Sequence, residues 1–161
     1  MPIEIRPQEE TDRDAVWLIL EAVVRAADTF VNDPGSAPNE IWATWEGPGT
    51  ANYVAVRGGD VAGAYLIRPN QAGLGSHVAN ASFAVAPEAR GEGVGRAMGG
   101  HALEEARRLG YRAMQFNAVV STNETAIALW RSLGFEEVGR IPEGFRQGER
   151  YVDTLVMYRA L

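Results

Sequence analysis

The sequence predicts a mixed α/β (α+β) domain built on one central sheet. Short runs rich in β-branched and aromatic residues alternate with longer stretches whose apolar residues recur at helical spacing. Glycine or proline punctuates nearly every junction between them. Hydrophobic residues make up 46% of the chain and charged residues 22%, an ordinary balance for a protein that buries a core. At 161 residues the chain fits a single domain, 1–161, since such units commonly run ~100–200 residues.

The elements follow in order. Residues 3–6 read as a short strand ended by Pro7. Thr11 offers a helix N-cap with Asp14 three residues on, and Val16, Ile19, Leu20, Val23 and Val24 then give a helix over about 12–28. Residues 29–50 are irregular, with a short helix at 40–45. A connection of that length in a compact domain usually carries function. Strands at 53–57 and 61–67 form a hairpin around Gly58-Gly59-Asp60. A loop at 68–76 leads to a strand at 77–86, a turn at 87–93 and a helix at 94–109 closed by Gly110. The strand at 113–120 is nearly continuously apolar, which predicts burial on both faces. Ser121 and Glu124 read as a capping box for a helix carrying Ala126, Leu129, Trp130 and Leu133, and Gly134 ends it. Strands at 135–141 and 151–158 complete the chain.

Composition excludes several chemistries. There is no cysteine, and all 15 basic residues are arginine. No disulfide framework, thiolate metal site, cysteine acyl-enzyme, lysine Schiff base or P-loop lysine is available. The net charge of −6 and pI near 5.0 argue against nucleic-acid binding, which depends on displacing counterions with basic surface. The first residues lack the basic and apolar regions of a signal peptide, and no apolar run approaches the ~20 residues of a membrane span. A cytoplasmic location is expected. His77 and His101 have no metal-ligand spacing to the acids, so no metal is expected.

The segment Arg90-Gly91-Glu92-Gly93-Val94-Gly95-Arg96 stands between a predicted strand and a predicted helix. Closely spaced glycines let the backbone turn tightly and expose successive N–H groups, and the helix start adds unpaired N–H groups and a positive dipole end. Arg90 and Arg96 add fixed positive charge. The segment therefore reads as a pyrophosphate site. A dinucleotide G-x-G-x-x-G fails, because Arg96 or Met98 stands where the last glycine belongs, and a P-loop fails for want of lysine.

Arg90-x-x-Gly93-x-Gly95 matches the [QR]-x-x-G-x-[GA] signature of the GCN5-related N-acetyltransferases. The later Asn123, Ala126, Trp130 and Gly134-Phe135 resemble that family's second signature. The resemblance implies a mixed sheet of about seven strands with about four helices, splayed between the fourth and fifth strands. It implies acetyl-CoA as co-substrate and direct transfer to an amine in a ternary complex. By the same resemblance Phe83, Ala84 and Val85 pair with the pantetheine arm, Gly91, Gly93, Val94, Gly95 and Arg96 hold the pyrophosphate with Arg90, and Asn123 and Trp130 flank the arm. A homodimer is compatible with the fold. Two other classes share these signatures: a non-catalytic CoA-binding sensor or interaction domain, and a protein or peptide N-acetyltransferase.

One departure matters for the chemistry. Trp130 stands where the family usually has a tyrosine acid, and an indole N–H has no useful acidity at neutral pH. No carboxylate occupies the middle of 80–85, and His77 reads as a solvent-facing residue at a strand start. Orientation and solvent-mediated proton transfer are therefore expected to dominate. Asparagine is depleted within strands, so Asn80 and Asn117 stand out. They either satisfy backbone groups at the splay or point into the cleft and orient a substrate. Together with His77-Val78-Ala79-Asn80, Phe116-Asn117-x-Val119-x-x-Thr122-Asn123 resembles fungal proline-analogue acetyltransferases, which N-acetylate azetidine-2-carboxylate and related imino acids. That resemblance makes Asn80 and Asn117 the substrate-orienting residues of the reaction and a small amino or imino acid the acceptor. Phe30, Trp42 and Trp45 are candidate walls for the acceptor pocket. The charged residues Glu104, Glu105, Arg107 and Arg108 read as solvated pairs on a helix face.

Overall fold

A computed structural model describes residues 1–161. Seven strands form one sheet: β1 (Ile3–Pro7), β2 (Ala51–Arg57), β3 (Asp60–Pro69), β4 (Val78–Val85), β5 (Ala113–Val120), β6 (Glu136–Gln147) and β7 (Arg150–Ala160). Their order across the sheet is β1-β2-β3-β4-β5-β7-β6. Every neighbouring pair is antiparallel except β4 and β5, which run parallel. The helices are α1 (Arg13–Ala26), α2 (Pro38–Trp45), α3 (Val94–Arg108) and α4 (Glu124–Ser132). The expected mixed α/β class, strand number and splay are all present. No helix is long and apolar enough to cross a membrane.

Successive strand residues face opposite sides of a sheet, and this sorts the helices. Tyr65 of β3 and Phe83 of β4 stack at 5.4 Å on the side where Trp130 of α4 meets Phe83 at 4.9 Å. On that same side the Tyr65 hydroxyl and Nδ1 of His101 in α3 are 2.6 Å apart. Leu66, Arg68, Asn80 and Ser82 alternate with these residues and face the side bearing α2 and the loop after α1. Gly63 lets α3 settle close: a Cβ there would lie 2.9 Å from both Val94 Cγ1 and Met98 Cε, and 3.1 Å from the Ala84 carbonyl.

Several boundaries differ from expectation for identifiable reasons. Thr11 does not cap α1. A 3₁₀ turn at Glu10–Asp12 precedes it, and the Asp12 carboxylate accepts the Glu9 N–H (2.8 Å) and both arms of Arg6 (2.7 and 2.9 Å). The Arg6 guanidinium holds the Asp12 carboxyl below its usual range. Ala27 adopts φ 54° and ends α1 before Asp28. Ser121 does not form the α4 capping box. Asn123 is the cap instead, its Oδ1 accepting the Ala126 N–H at 3.2 Å. β5 is not buried throughout: Asn117 is exposed, because the strand breaks register with β7 between Phe116 and Val119. β6 runs on to Gln147 past a bulge between Ile141 and Phe145, where Asp153 Oδ1 accepts the Glu143 N–H at 3.0 Å. Glu105 is more than a solvated partner of Arg108. It also accepts the Tyr53 hydroxyl at 2.9 Å, and the Arg108 hydrogen bond, ahead of the Tyr53 one, brings its carboxyl down to about 2.

Because Gly63 seats the first turn of α3, Gly63→Ala is expected to destabilise the protein by about 1–3 kcal/mol through overpacking. Urea or thermal unfolding measures this. An unchanged midpoint would show that Val94 and Met98 yield freely.

Candidate active site

β4 and β5 pair only at Val78 with Ala113 and Ala79 with Met114. At the next position Asn80 Nδ2 donates to the Gln115 carbonyl at 3.0 Å, so a side-chain amide serves a backbone acceptor where the ladder stops. Beyond it the strands part. Within β5 Asn117 is held by side chains: its Oδ1 accepts Gln115 Nε2 (2.9 Å) and its Nδ2 donates to Asn70 Oδ1 (2.7 Å). Gln115 and Asn70 belong to this network and escaped sequence reasoning, since neither lies in a recognisable motif.

Two cavities meet at the parting. The first, about 550 Å³, lies on the α2 side and is bordered by Phe30, Trp45, Arg68, Asn80, Ser82 and Asn117. The second, about 1190 Å³, is bordered by Phe83, Ala84 and Val85 of β4, by Arg90, Gly91 and Gly93 of the turn, and by Val94, Gly95 and Arg96 of α3. Thr29, Phe83, Asn123, Ala126 and Trp130 border both. All the residues expected to hold acetyl-CoA therefore line one cavity. Trp130 packs against Phe116 at 4.7 Å as well as Phe83, so it is an aromatic wall with 8% exposure.

The turn suits a pyrophosphate. Gly91 and Gly93 have φ of 77° and 85°, a conformation that favours glycine, and a Cβ at either would meet nothing within 4 Å. The first bond of α3 at this end runs from the Ala97 N–H to the Gly93 carbonyl (3.0 Å), which leaves the amides of Val94, Gly95 and Arg96 ahead of it as donors. Arg90 is exposed and makes no ion pair, while Arg96 donates to Ser132 Oγ at 3.0 Å. Glu92, which would repel a phosphate, pairs with Arg57.

The remaining candidates divide. Phe30 and Trp45 border the first cavity and stack on each other at 6.3 Å. Trp42 does not border either cavity: it lies 6.0 Å from Trp17, with the Arg13 guanidinium 3.9 Å over its ring. Of the three aromatic residues expected from the 29–50 segment, Phe30 and Trp45 thus border the cavity, while Trp42 is occupied by its packing against Trp17 and Arg13. His77 is exposed and outside both cavities. Two polar groups were not foreseen. Arg68, read as loop, is in β3 and is the one titratable residue of the first cavity. Asp28, read as helix, falls in the loop beside the second cavity, with Oδ1 buried and without a hydrogen-bond partner.

The GNAT acetyltransferase family model matches residues 18–135. A GCN5-related N-acetyltransferase from Kribbella flavida is 41% identical, with a TM-score of 0.92 over 99% of this chain and 98% of that one. YncA, a putative acetyltransferase from Salmonella typhimurium solved with its cofactor acetyl-CoA, is 25% identical with a TM-score of 0.88, covering 100% of this chain and 95% of that one. N-acetyltransferase aca1 of Schizosaccharomyces pombe is 40% identical over 96 residues, 58% of this chain and 46% of that protein. The chain thus spans less than half the length of this curated relative.

Since Asn123 caps α4 beside both cavities, Asn123→Ala should cost about 1 kcal/mol of stability and Asn123→Ser a few tenths at most. Thermal unfolding of the two variants separates them; equal losses would remove the cap from the description.

Proposed function

The chain belongs to the GNAT acetyltransferase family, and we propose that it transfers the acetyl group of acetyl-CoA directly to the amine of a small amino or imino acid. The observation that carries this reading is the meeting of the two cavities at the β4–β5 parting. One is built for a pyrophosphate and an extended arm. The other is small and lined by Asn80, Asn117 and aromatic rings.

Acetyl-CoA, when bound, supplies an acyl carbon activated as a thioester, so a C–N bond forms to the acceptor as the C–S bond breaks. Arg90, Arg96 and the amides of the glycine turn hold the phosphates. The edge of β4 from Phe83 to Val85, which has no strand partner on the β5 side, offers backbone groups to the pantetheine arm and an N–H donor where negative charge develops on oxygen. Asn80 and Asn117 orient the acceptor from the opposite face, while Phe30 and Trp45 enclose it. Placing both substrates at one opening can supply ~7–11 kcal/mol of the barrier. The first cavity contains no carboxylate or imidazole. The attacking nitrogen therefore loses its proton to solvent, and neither Trp130 nor His77 takes part in that transfer.

Release of free thiol from acetyl-CoA in the presence of a panel of small amino and imino acids, azetidine-2-carboxylate included, tests the reading. Thiol release only with acceptor is expected. Its absence with every amine would leave a CoA-binding module, and turnover with peptides alone would make it a peptide acetyltransferase. Asn117→Ala is expected to lower kcat/KM at least tenfold, while Arg90→Ala should raise the acetyl-CoA KM roughly tenfold or more by removing a charged hydrogen-bond donor. The pH–rate profile should follow the acceptor amine and be unchanged by His77→Ala; a second pKa that disappears in that variant would contradict solvent-mediated transfer.

A further inference from the structure

Arg68 has a position that the proposed reaction does not yet use. It stands in β3 directly across from Asn80. Cross-strand neighbours of this kind have Cβ atoms roughly 5 Å apart. Asn80 in turn marks the point where β4 and β5 separate. The Arg68 guanidinium is half-buried, makes no ion pair, and has one protein bond, from Nη1 to the Thr44 carbonyl at 2.9 Å. A guanidinium carries five N–H donors, so most of its capacity is uncommitted. The cavity it borders holds no acid to neutralise it, in a protein whose net charge is −6.

A cavity with one largely uncommitted cation and no anion is complementary to a small anion. The planar fork of arginine matches a carboxylate best.

We propose that Arg68 binds the carboxylate of the acceptor and thereby makes the enzyme select carboxylate-bearing amines. This rests on the reading of the first cavity as the acceptor site. Because Arg68 neighbours Asn80 at the mouth of the parting, the bound carboxylate lies close to the amine that attacks. The site thus fits an α-amino or α-imino acid, in which one carbon separates the two groups, better than an amine with a distant acid. Arg68 is a specificity-determining contact and takes no part in proton transfer.

The experiment compares matched acceptors, azetidine-2-carboxylate with azetidine and proline with pyrrolidine, on wild type and Arg68→Gln. Glutamine keeps a donor for the Thr44 carbonyl. Wild type is expected to prefer the carboxylate member of each pair. Arg68→Gln should lose roughly tenfold or more in kcat/KM on that member, mainly through KM. It should leave the ring amine and the acetyl-CoA KM unchanged. Equal loss on both members, or no loss on the carboxylate, overturns the assignment of Arg68 while the amino-acid reading stands. A wild type that acetylates amines but no amino or imino acid overturns both.

Discussion

Two residue pairs are all that join β4 to β5, and the protein's working geometry depends on the pairing ending there. A parallel ladder that ran its full length would close the sheet and separate its two faces. Here the last pair is Ala79 with Met114, and the Asn80 side chain takes the first carbonyl that the ladder abandons. The cost of exposing unpaired backbone is thereby reduced at the branch point. Further along β5 the Gln115, Asn117 and Asn70 side chains bond to one another beside the bulge. On the other face the clustered rings of Tyr65, Phe83, Phe116, Trp130 and Phe135 supply apolar packing beside the parting.

The electrostatics follow from the same opening. With no lysine in the chain, positive charge at the site comes from arginine and from backbone amides. Arg90, Arg96 and the start of α3 face the second cavity, while Arg68 faces the first. Each lies on a different side of the sheet, so two anionic groups can be held without sharing a cation. Glu92, the acid within the glycine turn, is matched by Arg57 from β2. Asp28 lies beside the second cavity with an unpaired oxygen, the one carboxylate on its border.

Much of the fold was legible because it rests on local patterns. The apolar spacing of α1 and α3, the hairpin at Gly58-Gly59 and the glycine turn are set by residues close in sequence. So was the family, through Arg90, Gly93, Gly95 and Asn123. What sequence reasoning missed depends on partners far along the chain. Asp12 displaced Thr11 at the start of α1 because Arg6, on β1, reaches it. Asn123 displaced Ser121 as cap because β5 continues to Val120 and the chain then needs a turn before α4. Arg68 reads as loop from the Pro69, Asn70, Gly73 and Gly75 that follow it, yet β3 extends through Pro69, with Arg68 and Pro69 pairing with Asn80 and Ala79. Trp42 and Trp45 are three residues apart, and only the docking of α2 decides which of them reaches the cavity.

Direct transfer across the parting requires both substrates to be present together, with no covalent acetyl-enzyme between them. Initial rates measured while acetyl-CoA and an accepted amino or imino acid are varied together test this most plainly. Double-reciprocal lines that intersect, with an intact-mass spectrum of the protein unchanged after incubation with acetyl-CoA alone, are the expected result. Parallel lines and an acetylated protein that passes its acetyl group to the acceptor would contradict it.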